Sequence, residues 1–213
     1  MAVPFKLPRF YPILDTALLD ARNCAVTAAA DGLLEAGVKI VQYRHKDSWT
    51  QRHLQEAKQI AARCHDLGVL FVLNDRADFS RVLGAALHLG QHDLPPVAAR
   101  KVISDEVIGF STHNKAQLKR ANEEPVEYLS LGPIFPTKSK LRPDPVVGLE
   151  TLSELRKLTP KPLVAIGGIT LDNALDTLAT EVDSLAVISG CVPDRADRKS
   201  IRRQAERWLE WLQ

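Results

Sequence analysis

Cysteine is scarce in this chain, with three residues in 213, and methionine occurs once. Cys24, Cys64 and Cys191 are odd in number and show no C-x-x-C spacing, which excludes a disulfide framework or zinc ribbon and predicts packing thiols in a reducing compartment. No apolar run approaches the roughly 18 residues of a membrane-spanning helix, and Met1–Arg9, with its two prolines, holds no signal-peptide core. A soluble, cytoplasmic protein is therefore expected. An excess of one charge is missing too: 28 Lys and Arg face 26 Asp and Glu, a net charge of +2. No global field recruits nucleic acid or a membrane surface, so any bound anion must be held by a local cluster. The chain has no G-x-G-x-x-G after its first strand, no G-x-x-x-x-G-K-[ST] and no G-x-S-x-G. These absences argue against dinucleotide, nucleoside-triphosphate and α/β-hydrolase sites.

What is present is an ordinary globular composition, 45% hydrophobic and 25% charged, organised as short apolar runs that alternate with segments of helical period. Strands are predicted at Tyr11–Leu14, Lys39–Tyr43, Val69–Leu73, Ala86–Leu89, Val107–Phe110, Glu127–Leu131, Pro162–Ile166 and Ser184–Ile188. Between them the period predicts helices at Ala25–Glu35, closed by Gly37, from Thr50 to Leu67, closed by Gly68, and a short one after Asp78. Further helices are expected at Leu94–Arg100, Lys115–Ala121 behind an Asn114 cap, Leu149–Leu158, Leu171–Ala179 and Asp197–Leu212. Eight strand-then-helix units with near-continuous apolar strands predict a single (β/α)8 TIM barrel over residues 1–213, with an open doubly wound sheet as the alternative.

A barrel of this kind puts its chemistry where strands end, so the polar residues after each strand are the candidate site. Arg44 and Lys46 alternate with His45 and can grip one multiply charged anion from the same side; a diphosphate fits. Asp75 and Asp93 follow neighbouring strands and can meet over a divalent cation, and Mg²⁺ takes one or two carboxylates together with substrate phosphates. Asp78 is read instead as a cap for the short helix behind it. Gly167-Gly168-Ile169-Thr170 and Ile188-Ser189-Gly190 suit a phosphate cup after strands seven and eight. The longest irregular stretch, Gly132 to Gly148, is expected to be functional.

Six histidines do not make a zinc site. His88 and His92 straddle a strand end without the i, i+4 spacing of helical ligands, His53 and His65 are assigned to a helix surface, and His113 at the rim is a minor acid–base candidate. The last helix opposes Arg198, Lys199, Arg202, Arg203 and Arg207 to Ile201, Ala205, Trp208, Leu209 and Leu212. This reads as an amphipathic cover for the barrel rather than a nucleic-acid surface.

Six motifs carry a resemblance over almost the whole chain: Gln42-Tyr43-Arg44-His45-Lys46, Asn74-Asp75-Arg76-Ala77-Asp78, His88-Leu89-Gly90-Gln91-His92-Asp93, Gly132 through Lys140, Ala165-Ile166-Gly167-Gly168-Ile169 and Val187-Ile188-Ser189. In this order they resemble the thiamine-phosphate synthase family. The resemblance implies a TIM-barrel transferase that joins a hydroxymethylpyrimidine diphosphate to a thiazole phosphate, releasing pyrophosphate with Mg²⁺. It further implies that Gln42, Arg44, Lys46, Asn74, Ser111 and Lys140 hold the pyrimidine diphosphate, with Arg44, Lys46, Ser111 and Lys140 as the catalytic set. Tyr43 and His45 are counted with the substrate-binding set as part of the same motif. Asp75 and Asp93 are the implied Mg²⁺ ligands, and Thr137, Ser139, Gly168, Ile188 and Ser189 face the thiazole phosphate. Where the family often has Thr-x-Thr-Lys, this chain has Thr137-Lys138-Ser139-Lys140, which keeps the hydroxyl. The implied partners are small molecules, with neither nucleic acid nor membrane, and a homo-oligomer is compatible with the sequence. The alternatives are a thiazole tautomerase, which would need no diphosphate grip or acidic pair, and an inactive barrel that only binds a phosphorylated metabolite.

Overall fold

The computed structural model describes residues 6–103, 105–137 and 144–213. Eight parallel strands close into a barrel in chain order: β1 (Phe10–Asp15), β2 (Ile40–Arg44), β3 (Leu70–Asn74), β4 (Ala86–Leu89), β5 (Ile108–Thr112), β6 (Tyr128–Leu131), β7 (Leu163–Ile166) and β8 (Ser184–Val187). Closure is made by β1 pairing with β8, Tyr11 opposite Ala186, so no sheet edge is left open. The doubly wound alternative is excluded by that pairing.

The helices are α1 (Thr16–Ala21), α2 (Val26–Ala36), α3 (Gln51–Asp66), α4 (Ala77–Leu83), α5 (Pro96–Val102), α6 (Lys115–Ala121), α7 (Leu149–Arg156), α8 (Leu171–Leu178) and α9 (Arg198–Trp211). The punctuation acts as expected: Gly37 ends α2 in the left-handed conformation at φ 92°, and Asn114 caps α6 by accepting from Gln117 N–H at 3.0 Å. Two elements were not foreseen. α1 is only six residues long, too short for a periodic pattern, and is started by the Asp15 carboxylate accepting from Leu18 N–H. A 3₁₀ turn at Ser189–Cys191 follows β8. Asp78 is not a cap either: Arg76 holds the N-cap position, and the Asp78 carboxylate sits in the first turn, paired with the Arg76 guanidinium.

Because side chains alternate across a strand, the barrel has two apolar regions. Residues such as Val41, Tyr43, Leu73, Leu87, Leu129, Ala165 and Leu185 face the helix layer, while Tyr11, Ile13, Ile40, Val72, Ala86, Tyr128, Val164 and Ala186 fill the interior. Gly109 makes this interior possible, since a Cβ there would overlap the Tyr128 ring opposite it. The three cysteines are buried free thiols, as expected. Among the described residues no helix is long and apolar enough to cross a membrane. α9 packs on α2 and delivers Trp208 to the barrel wall, where its indole stacks on Phe10 with centroids 5.4 Å apart.

Candidate active site

The interior residues turn polar in the last layer before the strand ends, and the loops above them enclose a cavity of about 500 Å³. The parity of β2 decides which of its motif residues reach it. Gln42, Arg44 and Lys46 line the cavity; Tyr43 and His45, on the alternate positions, do not. Tyr43 points into the helix layer and donates to Glu56 Oε2 at 3.1 Å. His45 is buried against Thr16, 2.7 Å from its Nδ1, in a ring cluster with Trp49 and His53. The grouping of Tyr43 and His45 with the substrate-binding residues is thus not reproduced, because strand alternation separates them from their neighbours. His53 is no plain surface residue either, since it closes a capping box with Thr50 at the start of α3.

The two cations are each matched to a carboxylate. The Arg44 guanidinium pairs with Asp15 across the β1–β2 register, and Lys46 Nζ lies 2.6 Å from Asp75 Oδ2. Asp15 was not among the predicted site residues, although its place at the end of β1 was the signal available.

Asp75 and Asp93 do meet. Asp75 follows β3 in a left-handed conformation, φ 66°, unusual for a residue with a Cβ, and its N–H is held by the His88 carbonyl at 2.8 Å. Asp93 closes the turn after β4, its Oδ2 accepting from Gly90 N–H at 2.6 Å. Burial and a hydrogen bond shared with Asp93 push the Asp75 carboxyl up to about 6, against the pull of Lys46. Burial also pushes Asp93 up, but the Asp75 hydrogen bond and the Gly90 N–H outweigh it and hold Asp93 below the usual range. Two facing carboxyls whose ionisations are pushed apart in this way have the chemistry of a divalent-cation site.

Orphaned atoms identify what the site is built to receive. Asp75 Oδ1 and Asn74 Nδ2 are buried with no hydrogen-bond partner among the described residues, one an acceptor for a cation and the other a donor for an anion. No group of three or more His, Cys, Asp or Glu capable of holding a metal occurs among the described residues. A hard cation held by two carboxylates that takes its remaining oxygens from substrate fits this donor set; a cation needing an all-protein cage does not.

Across the mouth, Gly167 and Gly168 both take positive φ, 97° and 69°, and a Cβ on Gly168 would come within 2.7 Å of the Pro136 carbonyl oxygen. Asn173 Nδ2 ties down the Gly168 carbonyl at 3.0 Å. One strand on, the Gly190 carbonyl accepts from Trp208 Nε1 at 3.0 Å and Gln204 Nε2 at 2.9 Å, so α9 fixes the turn that carries Ser189. Gly168, Ile188, Ser189 and Thr137 all line the cavity, as do Asn74 and Ser111. Ser139 and Lys140 lie outside the described residues. His113 also lines the cavity, with its Nδ1 donating to the Gly132 carbonyl at 2.6 Å and standing 3.6 Å from Asp144.

Below the rim lies a polar chain that the sequence reading missed. Gln42 Nε2 donates to the Tyr11 hydroxyl at 2.8 Å, which lies 2.9 Å from the Tyr128 hydroxyl. That oxygen is 3.0 Å from His88 Nδ1, and His88 Nε2 is 2.8 Å from Ser111 Oγ. Burial, reinforced by the Lys46 cation, pushes His88 down to about 4 and keeps it neutral.

The comparisons agree with this geometry. The family model "Thiamine monophosphate synthase" matches residues 10–191. The chain is 44% identical over 204 residues to thiamine-phosphate synthase of Koribacter versatilis (strain Ellin345), covering 94% of this chain and 96% of that protein. It is 34% identical over 196 residues to the thiamine-phosphate synthase of Persephonella marina (strain DSM 14350 / EX-H1), covering 91% and 92%. The solved thiamine phosphate pyrophosphorylase from Pyrococcus furiosus superimposes with a TM-score of 0.77 at 29% identity, covering 94% of this chain and 96% of that one. With the carboxyl pair, the anion grip and the glycine cup gathered at one barrel mouth, and relatives matched end to end, this chain belongs to the thiamine monophosphate synthase family.

Proposed function

We propose that the cavity holds both substrates at once and runs the family's condensation as a dissociative substitution. The pyrimidine ring sits deep, against Gln42 and the polar chain, with its diphosphate rising toward Arg44, Lys46 and Asn74. Lys140 joins them by resemblance. The thiazole phosphate is held opposite by Gly168, Ser189, Ile188 and Thr137, to which the family resemblance adds Ser139. Asp75 and Asp93 hold Mg²⁺, which, when bound with the diphosphate, offsets negative charge growing on the leaving oxygens.

The bond between the pyrimidine methylene and the diphosphate oxygen breaks, and both its electrons leave with pyrophosphate. Arg44 and Lys46 are already in place for that charge, so little reorganisation accompanies it. Positive charge left on the methylene spreads into the electron-rich aminopyrimidine, and the thiazole nitrogen then supplies the pair for the new C–N bond. No side-chain nucleophile takes part, in keeping with the inert thiols, whose pKa burial raises. The chain's remaining work is orientation and exclusion of water from the cation.

The observation that carries this reading is the carboxyl pair with its orphaned oxygen beside an orphaned amide and two cations, all in one cavity. A tautomerase would use none of these. The test is to mix enzyme with both substrates and follow pyrophosphate: release is expected only with Mg²⁺ and with thiamine phosphate formed in equal amount. Metal-independent isomerisation of the thiazole phosphate without coupling would refute it.

A further inference from the structure

We propose that His88 is a positioning residue, the fourth link of a hydrogen-bond chain that runs one way from Gln42 through Tyr11 and Tyr128 to Ser111. The direction of that chain sets which polar groups of the ring the cavity accepts. The inference rests on the pyrimidine reading above for the identity of the ring.

Direction follows from counting protons. The Gln42 amide nitrogen donates to the Tyr11 oxygen at 2.8 Å, so the single Tyr11 proton is free to go to Tyr128, 2.9 Å away. Continuing head to tail, Tyr128 donates to His88 Nδ1, His88 carries its proton on Nε2, and that N–H donates to Ser111 Oγ. Each link polarises the next, which favours the uniform order over a broken one. The chain is buried along its length, Tyr11 1% exposed, Tyr128 0% and His88 8%, with Tyr11 and His88 forming part of the cavity floor. Gly109 leaves the space that the Tyr128 ring occupies in this line.

Both ends of the chain open on the cavity. Gln42 and Ser111 line it, and Gln42 Oε1 accepts no hydrogen bond from the described residues. With one N–H held by Tyr11, the amide orientation is fixed and its carbonyl oxygen stays available as an acceptor. Ser111, already accepting from His88, turns its own proton to Ser130 Oγ at 3.2 Å or to an acceptor in the cavity. A ring with a donating exocyclic amino group and accepting ring nitrogens satisfies this pair, while its oxo counterpart, with an accepting oxygen and a donating ring N–H, meets it with every polarity reversed.

The test has two readouts on the full-length protein. The first is the protonation of His88, read from nitrogen-15 spectra of histidine-labelled enzyme with His88→Gln identifying its signals. The Nε2–H tautomer is expected, and a mixture is expected in Tyr128→Phe; Nδ1–H in the wild type overturns the proposal. The second is calorimetric binding of free 4-amino-5-hydroxymethyl-2-methylpyrimidine against its 4-oxo analogue. Wild type should prefer the amino ring by about 100-fold. Tyr11→Phe releases the Gln42 amide to turn over, and the preference should shrink about tenfold or more; an unchanged preference overturns the specificity claim. If neither pyrimidine binds, the substrate reading falls, and the specificity claim with it, while the wild-type tautomer still decides the direction of the chain.

Discussion

Asp75 shows how one residue ties strain, charge and cation affinity together. Its left-handed backbone costs on the order of 1 kcal/mol in a residue with a Cβ, and its buried carboxyl faces another. In the folded state its proton is held to about pH 6 instead of the ordinary 3.8. Because the folded form then binds more protons than the unfolded one, this group lowers stability as pH rises between about 4 and 6, and the loss persists above 6. Asp93, shifted downward, acts the opposite way and in a lower window: it adds stability that disappears as pH falls through its folded pKa. His88, held down to about 4 by burial, acts in the opposite sense over the same window and adds stability as pH rises. We therefore expect Asp75→Asn, without Mg²⁺, to gain more in melting temperature between pH 5 and pH 7 than the wild type does, while cutting kcat/KM about 100-fold or more. Mg²⁺ should raise the wild-type melting temperature more at pH 7.5 than at pH 5, since protons compete for the same oxygens. A pH slope identical in wild type and variant would count against an upward-shifted Asp75 carboxyl.

At the scale of elements, the terminal helix supports the turn that we propose holds the thiazole phosphate. Trp208 is fully buried, stacks on Phe10 and holds the carbonyl of Gly190 beside Ser189. Trp208→Ala should cost roughly 3–5 kcal/mol. Trp208→Phe keeps most of the apolar contact but lacks the N–H, so it is expected to melt within a few degrees of wild type and to raise KM for the thiazole phosphate severalfold while leaving KM for the pyrimidine diphosphate unchanged. Equal effects on both KM values would argue for a general loosening. Between β5 and β6, Gly109→Ala drives a methyl group into the Tyr128 ring. Thermal unfolding should show a loss of about 1–3 kcal/mol from overpacking. The amphipathic character of α9 and the alternation in β2 were legible in the sequence. That Trp208 reaches the turn after β8, and that Tyr43 and His45 turn away from the cavity, follows from where those elements dock and on which parity each strand enters the barrel.

The whole molecule separates its two ends. The mouth carries the left-handed aspartate and the facing carboxyls, whereas the opposite end is tied together by long-range pairs of Arg and Lys side chains. There Arg100 reaches the Pro125 carbonyl and the Glu127 carboxylate, each at 2.8 Å, and Lys161 Nζ caps the carbonyls of Glu124 and Val126. Arg100→Ala should lower the melting temperature by several degrees, from about 1–3 kcal/mol of lost charge-assisted bonding, with kcat/KM within twofold of wild type. A large kinetic effect would show that the two ends are coupled.

The amino-acid order by itself determined the eightfold alternation, the identity of the strands and the residues at each strand's end, because period, caps and glycine stops are local and leave their mark within a few residues. From these, Arg44, Lys46, Asp75, Asp93 and the Gly167-Gly168 turn could be named before any fold was seen. Only the tertiary structure decided that the Asp75 and Asp93 carboxyls face one another, that Asp15 partners Arg44, and that Gln42, Tyr11, Tyr128, His88 and Ser111 join into one chain. These contacts link residues from 18 to 117 positions apart, as the Asp75–Asp93 and Tyr11–Tyr128 pairs show. They exist because closing the barrel sets the register of every strand against its neighbours, a condition no local segment carries.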